Sequence, residues 1–149
     1  LLLTTYVEGE ARHIGAMLAA IARQIYSSDE PVPKPACLIV GGETTVTVHG
    51  EGLGGRNQEL ALGSVKGLAG LKGTLLISLA TDGGDGPTEA ASAVVSSDTL
   101  SRATALSLDS NDFLQRNDSY HFFAALDDLI FTGPTYTNVN DLIFLFVKP

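Results

Sequence analysis

Tryptophan is absent from this sequence and cysteine and methionine occur once each. No apolar run approaches the ~18 residues of a membrane-spanning helix. A lone cysteine excludes a disulfide framework, so the chain reads as a protein of a reducing compartment, and Cys37, inside the apolar run "ACLIV", reads as a small buried hydrophobe. Basic residues are also scarce: nine Lys and Arg stand against seventeen Asp and Glu, a formal charge of -8. That balance argues against nucleic acid or an anionic membrane as partner. A phosphate-bearing ligand would have to be met locally, by backbone amides, a few cations or a metal. The opening "LLLTTYVEGEARH" lacks the charged and apolar regions of a signal peptide, so the reading is a soluble, cytoplasmic protein. The chain starts at Leu1, in what reads as a strand entering a helix, and so reads as a fragment.

What is present suffices for one domain: 149 residues, 44% hydrophobic and 17% charged, an ordinary globular balance. Leu1 to Thr5 reads as a short strand. Glu8 to Tyr26 carries Ile14, Met17, Leu18, Ile21 and Ile25 at helical spacing. The proline-rich "SSDEPVPKP", Ser27 to Pro35, is a linker or a surface crossing and the one candidate boundary. After it, "CLIV" and "TTVTV" joined by Gly41, Gly42 and Glu43 suggest a hairpin whose second strand alternates buried valines with wet threonines. Arg56 to Leu68 reads as a helix, and Gly73 to Asp82 as a strand covered on both faces. Asp98 to Leu106 reads as a helix capped by Asp98, Phe113 to Arg116 as a turn, and Asp118 to Leu126 as a helix. "LIFTG" and "DLIFLFV" read as closing strands. The expected fold is an α/β layered domain, a mixed sheet flanked by helices.

Three polar loops are candidates for chemistry. Gly50, Gly52 and Gly55 of "GEGLGGRNQELAL" satisfy G-x-G-x-x-G between a strand and a helix, with Asp82 as a distant acid. A hairpin-paired, alternating strand ahead of the loop argues against a dinucleotide site, whose first strand is parallel and buried. A cradle for phosphate or carboxylate demands less: glycines, free amides at a helix start, and a cation. Arg56 stands at that start, where a positive charge opposes the helix dipole unless an anion or an acidic partner is near. The plainer alternative is a surface turn with Arg56 paired to an acid. In "TDGGDGPTEAAS", Asp82 and Asp85 are three residues apart after a buried strand and would converge on Mg²⁺, or else cap local amides. "TGPTYTNVND", Thr132 to Asp141, offers hydroxyls and amides to a polyhydroxylated or phosphorylated ligand, or is simply a turn. His13, His49 and His121 form no nucleophile–base pair or metal-ligand spacing and read as structural or surface residues.

Taken together, "GGETTVTVHGEGLGGRNQELAL", "TDGGDGPTEAASAVV", "NDSYHFF" and "TGPTYTNVNDLIFLF" resemble the C-terminal MOFRL domain of class II glycerate kinases, from Pro35 to Val147. "LLLTTYVEGEARHIGAMLAAIA" resembles the segment that leads into that domain. The resemblance implies residues 1–34 as a connecting segment with its helix, 35–149 as the MOFRL domain, and an N-terminal kinase domain outside this chain. It further implies ATP-dependent phosphorylation of D-glycerate in a cleft between two α/β domains, with Mg²⁺, glycerate and nucleotide as ligands and a homodimer left open. On this resemblance Arg56 is similar to the arginine directed into the cleft, where it stabilises phosphate charge. Asn57 and Glu59 orient the substrate or that arginine, and Asp82 and Asp85 hold Mg²⁺ or position the glycerate hydroxyl. Gly54, Gly55, Thr81, Asn138 and Asn140 complete the substrate-binding set. Glu89, Ser92 and Leu53 depart from the commonest family residues without removing a catalytic group.

Two other readings differ in kind. One is a free-standing binding or regulatory module that keeps the loops without the chemistry, and the other is a nicotinamide-dependent hydroxypyruvate reductase resting on the glycine fingerprint. Whether the product is 2- or 3-phosphoglycerate depends on how glycerate lies against the absent domain.

Overall fold

The computed structural model describes residues 1–149. Its elements are β1 (Leu2–Val7), α1 (Ala11–Ser28), β2 (Ala36–Gly42), α2 (Arg56–Leu68), β3 (Thr74–Ala80), β4 (Ser92–Ser96), α3 (Thr99–Ala105), α4 (Ser110–Gln115), α5 (Ser119–Leu126), β5 (Leu129–Ile130) and β6 (Asp141–Val147). The six strands form one mixed sheet in the order β1-β2-β6-β3-β4-β5. Only β1 and β2 run parallel, joined across α1, and every other pair is antiparallel. The α/β layered architecture is the one expected.

α1 forms because Leu18, Ala19, Ala22 and Ile25 fall on one stripe and bury completely. It stops at Asp29, whose φ of 59° is left-handed and whose amide donates to Ile25 O, while Lys34 Nζ donates to the last carbonyls at Ile25 and Tyr26. α1 lies against α2 at close range. A Cβ added at Gly15 would overlap the Leu60 backbone, and one at Gly63 would overlap the Arg12 backbone. The proline-rich segment is thus a surface crossing, since β1 and α1 ahead of it join the same sheet and helical layer as the rest.

Four expectations are corrected, that of a buried Cys37 together with the second. "TTVTV" makes no hairpin with β2, because β1 and β6 occupy both edges of that strand. Thr45 and Thr47 turn to the start of α1 instead: Ala11 N donates to Thr45 O at 2.8 Å, and the Glu10 carboxylate accepts from Thr47 N at 3.1 Å and Oγ1 at 2.9 Å. Second, β3 is fully buried on one face only. Thr74, Leu76, Ser78 and Ala80 point to the helices, while Leu75, Ile77 and Leu79 are half-buried opposite. β6 repeats this with Leu142, Phe144 and Phe146 half-buried, and Cys37 shares that exposure instead of being buried. Third, Asp98 precedes α3 but its carboxylate accepts no bond from the helix amides, taking the Ser96 hydroxyl and pairing with Arg102 instead. The strand β4 carried no expectation, and "SAVVS" enters the sheet between β3 and β5. No helix is long and apolar enough to cross a membrane.

Candidate functional site

The polar loops meet at one end of the sheet. Gly42 at the end of β2, Asp141 at the start of β6 and Ala80 at the end of β3 stand in one cross-strand row. α2 begins above this row with Arg56. Asp141 lies on the helix-facing side of β6, buried to within 3%, and chelates Arg56: Nε donates to Oδ2 at 2.6 Å and Nη2 to Oδ1 at 3.0 Å. This bond is the first cause of an Arg56 pKa above its ordinary value, working against partial burial and helped by the charges of Asp141, Glu43 and Asp85. Glu43 Oε1 lies 3.2 Å from Arg56 Nη1. The unfavourable cation at the helix start is therefore met by acids of the same chain, in the manner of the plainer reading of the glycine loop.

The anion at the start of α2 is also supplied from within. Asp85, 1% exposed, accepts from Asn57 N at 3.1 Å and Gln58 N at 2.8 Å. Burial raises its pKa above the usual carboxylate value, the two amides and the Asn57 side chain pull it back in part, and Asp141 adds to the rise. Asn57 Nδ2 bridges the two acids, 3.2 Å from Asp85 Oδ1 and 2.9 Å from Asp141 Oδ1, and its Oδ1 accepts from Ser78 Oγ at 2.6 Å. Every polar atom of this asparagine side chain is used, which fixes both carboxylates beneath Arg56.

Glu59 is 2% exposed and tied on both sides, accepting from Arg12 Nε at 2.7 Å and Asn117 Nδ2 at 2.9 Å. The glycine loop itself hangs on the "ND" pair that precedes α5. Asn117 Oδ1 accepts from His49 N and Gly50 N, and Asp118 Oδ1 accepts from Leu53 N at 2.9 Å. Burial opposes ionisation of Asp118, yet the Leu53 amide, His121 and Arg116 outweigh it and hold the pKa below the usual range. A Cβ at Gly52 would overlap Asp118, and one at Gly55 would overlap the Asp85 carboxyl. These glycines serve close packing against their own chain. The fingerprint also lacks its context, because β2 and β3, on either side of α2, are separated in the sheet by β6.

A cavity of about 490 Å³ opens over this network, lined among others by Glu43, Thr45, Gly54, Gly55, Arg56 and Glu59. A neighbouring one of about 590 Å³ includes Thr5, Tyr6, Glu8, Glu43, Thr45 and Asn140. The remaining candidates form a second set that zips the two polar loops together. Thr81 Oγ1 donates to Asn140 O at 2.6 Å and accepts from Val139 N at 2.9 Å, and Asn138 Nδ2 donates to Asp82 Oδ2 at 3.2 Å. Asp82 is exposed while Asp85 is buried. The expected two-carboxylate Mg²⁺ site finds Asp85 engaged by three donors, and no three His, Cys, Asp or Glu side chains gather as ligands. Sequence reasoning counted Asp141 only as one polar residue of the Thr132–Asp141 loop, not as the partner of Arg56, and missed Glu43, Asn117 and Asp118. An acid opening the apolar strand "DLIFLFV" was the available signal for Asp141.

The model of the MOFRL family matches residues 36–141. The D-glycerate 2-kinase of Thermotoga maritima is 47% identical over 142 residues, 95% of this chain and 34% of that protein. Glycerate kinase of Bos taurus is 48% identical over 124 residues, 78% of this chain and 24% of its own length. The crystal structure of the Thermotoga maritima glycerate kinase superimposes with a TM-score of 0.97 at 46% identity, covering 99% of this chain and 36% of the other. The chain thus spans about a third or less of the relatives it matches.

Proposed function

This chain belongs to the MOFRL family, and from that premise we propose that it is the C-terminal domain of an ATP-dependent glycerate kinase, forming one wall of the cleft in which D-glycerate becomes phosphoglycerate. The observation that carries the reading is Arg56, held in two bonds by buried Asp141 at the edge of the larger network and facing a cavity of about 490 Å³. Phosphoryl transfer depends on positioning and on neutralising charge at the transferred group, and a rigidly aimed guanidinium supplies both.

Asp141, Asn57 and Asp85 act through Arg56 as positioning residues, and Glu59 does the same for the helix that carries it. Gly54 and Gly55 line the phosphoryl side, whereas Thr81, Asn138 and Asn140 border the side that would take hydroxyls. Mg²⁺ would arrive with the nucleotide phosphates, and exposed Asp82 is the carboxylate available to it. In this reading residues 35–149 are the MOFRL domain, residues 1–34 lead into it, and an N-terminal domain of the same polypeptide supplies the opposite wall.

The test is Arg56→Ala in the full-length enzyme. We expect kcat to fall by about 10²–10³-fold, the scale of removing one preorganised charge-stabilising group, and the thermal midpoint to fall as well, because Asp141 is left buried without its cation. Unaltered kcat would remove Arg56 from the mechanism. The 149-residue chain alone should show no glycerate phosphorylation.

A further inference from the structure

The two carboxylates on Arg56 are not equivalent. Asp141 is anchored: its side chain is 4% exposed, it takes two bonds from the guanidinium, and it accepts a third from Asn57. Glu43 holds only Nη1, at 3.2 Å, with 53% of its side chain in solvent. Its backbone is pinned, since Glu43 N donates to Val7 O at 3.0 Å, so the side chain can leave Arg56 without moving the fold. Glu43 also lines both cavities, the one over Arg56 and the one beside Tyr6 and Asn140.

We propose that Glu43 is a resident competitor for the anion site of Arg56, a carboxylate that occupies Nη1 in the unliganded domain and is displaced by the incoming phosphoryl or carboxylate group. This rests on Arg56 being the anion-binding group. The exchange replaces one solvent-exposed ion pair by another, so Glu43 lowers affinity for every anion at Nη1 and keeps the arginine aimed when no ligand is bound. Once displaced, its carboxylate turns to the neighbouring cavity, where it accepts hydrogen bonds from a hydroxyl-bearing ligand. Glu43 is in this sense a specificity-determining residue, since it disfavours small free anions relative to a ligand that offers both an anion and a hydroxyl.

The experiment is titration of the 149-residue chain with inorganic phosphate, followed by NMR shifts of the amides around Arg56. Glu43→Gln should bind phosphate about threefold to fivefold more tightly, the range of an exposed ion pair. Glu30→Gln, which makes the same change of charge beside the α1–β2 crossing, is the reference for the general field and should change affinity much less. Equal affinity in the two variants, or weaker binding by Glu43→Gln, overturns the proposal. If Arg56→Ala abolishes phosphate binding while Glu43→Gln has no effect, only the role of Glu43 falls. If Arg56→Ala binds phosphate as well as the unmodified chain, the reading of Arg56 falls with it.

Discussion

At the scale of single residues, the site is a set of charges arranged around one asparagine. Asp85 shows how the arrangement is held and makes a prediction with a definite sign. Its carboxyl is buried first and hydrogen-bonded second, so its native pKa lies above the ordinary value. The native state then binds the proton more readily than the unfolded chain, and the stability it contributes is largest below the unfolded pKa, about 3.9. That stability is lost as pH rises from there through the raised native value. In Asp85→Asn this titration is gone, while replacing one acceptor oxygen by an NH2 group leaves one buried amide of the α2 start without its acceptor, at a cost of about 1–3 kcal/mol at every pH. The stability of the unmodified chain relative to Asp85→Asn should therefore decline with rising pH, read as the gap between thermal midpoints from pH 3.5 to 7. A gap that widens with pH would mean that the amides of Asn57 and Gln58 dominate burial.

How far the site was legible follows from the same residues. Arg56 announces itself, because a cation at the first position of a helix after glycines contradicts the local electrostatics and demands a partner, whereas Asn57 was reached only through the family resemblance. The partner did not announce itself. Asp141 lies 85 residues away, and its pairing is fixed by strand register, which places it in a row with Gly42 and Ala80. Asp85 was legible as an acid and as a cap in general, but the amides it caps belong to a helix 27 and 28 residues earlier. Local spacing carries no information about that distance.

At the scale of elements, α2 is the post on which the domain turns, touching α1, β3, β4 and each of the other helices. Its periodicity made Arg56 to Leu68 readable to the residue, as the 3.6-residue pattern of Leu60, Ala61, Val65 and Leu68 is unbroken. The strands were less readable. The hairpin expectation failed because two β-rich runs around glycines look alike whether they pair with each other or with strands far along the chain. Gly63 offers a decisive test of the α1–α2 contact. In an isolated helix Gly→Ala stabilises by about 1 kcal/mol, yet here the new methyl would overlap the Arg12 backbone, which yields only if the helices separate. Overpacking of this kind costs about 1–3 kcal/mol, so Gly63→Ala should be net destabilising, by up to several degrees in thermal midpoint at about 2–4 °C per kcal/mol. A raised midpoint would mean that the helices part without loss.

At the scale of the whole molecule, the boundary that matters is the one between residues 1–34 and the remainder. The family match begins at residue 36, and the proline-rich crossing just before it has the composition of a linker. The packing argues the other way. α1 contributes Leu18, Ala19, Ala22 and Ile25 to the fully buried core, β1 covers the edge of β2, and Arg12 holds Glu59 under the cavity. Removing residues 1–34 would strip Glu59 of its cation and expose the α1 side of α2 and the edge of β2, with the loss of the hydrophobic burial that Leu18, Ala19, Ala22 and Ile25 supply. Those losses are comparable with the whole stability of a domain this size. The chain of 149 residues should therefore unfold in one cooperative transition with an enthalpy of about 100 kcal/mol, and residues 35–149 alone should show no cooperative transition and bind hydrophobic dye. A sharp calorimetric transition from 35–149 would make the crossing a true domain boundary. Arg12 and Glu59 would then be a docking contact between two units, and the wall of the cleft would owe its rigidity to α2 alone.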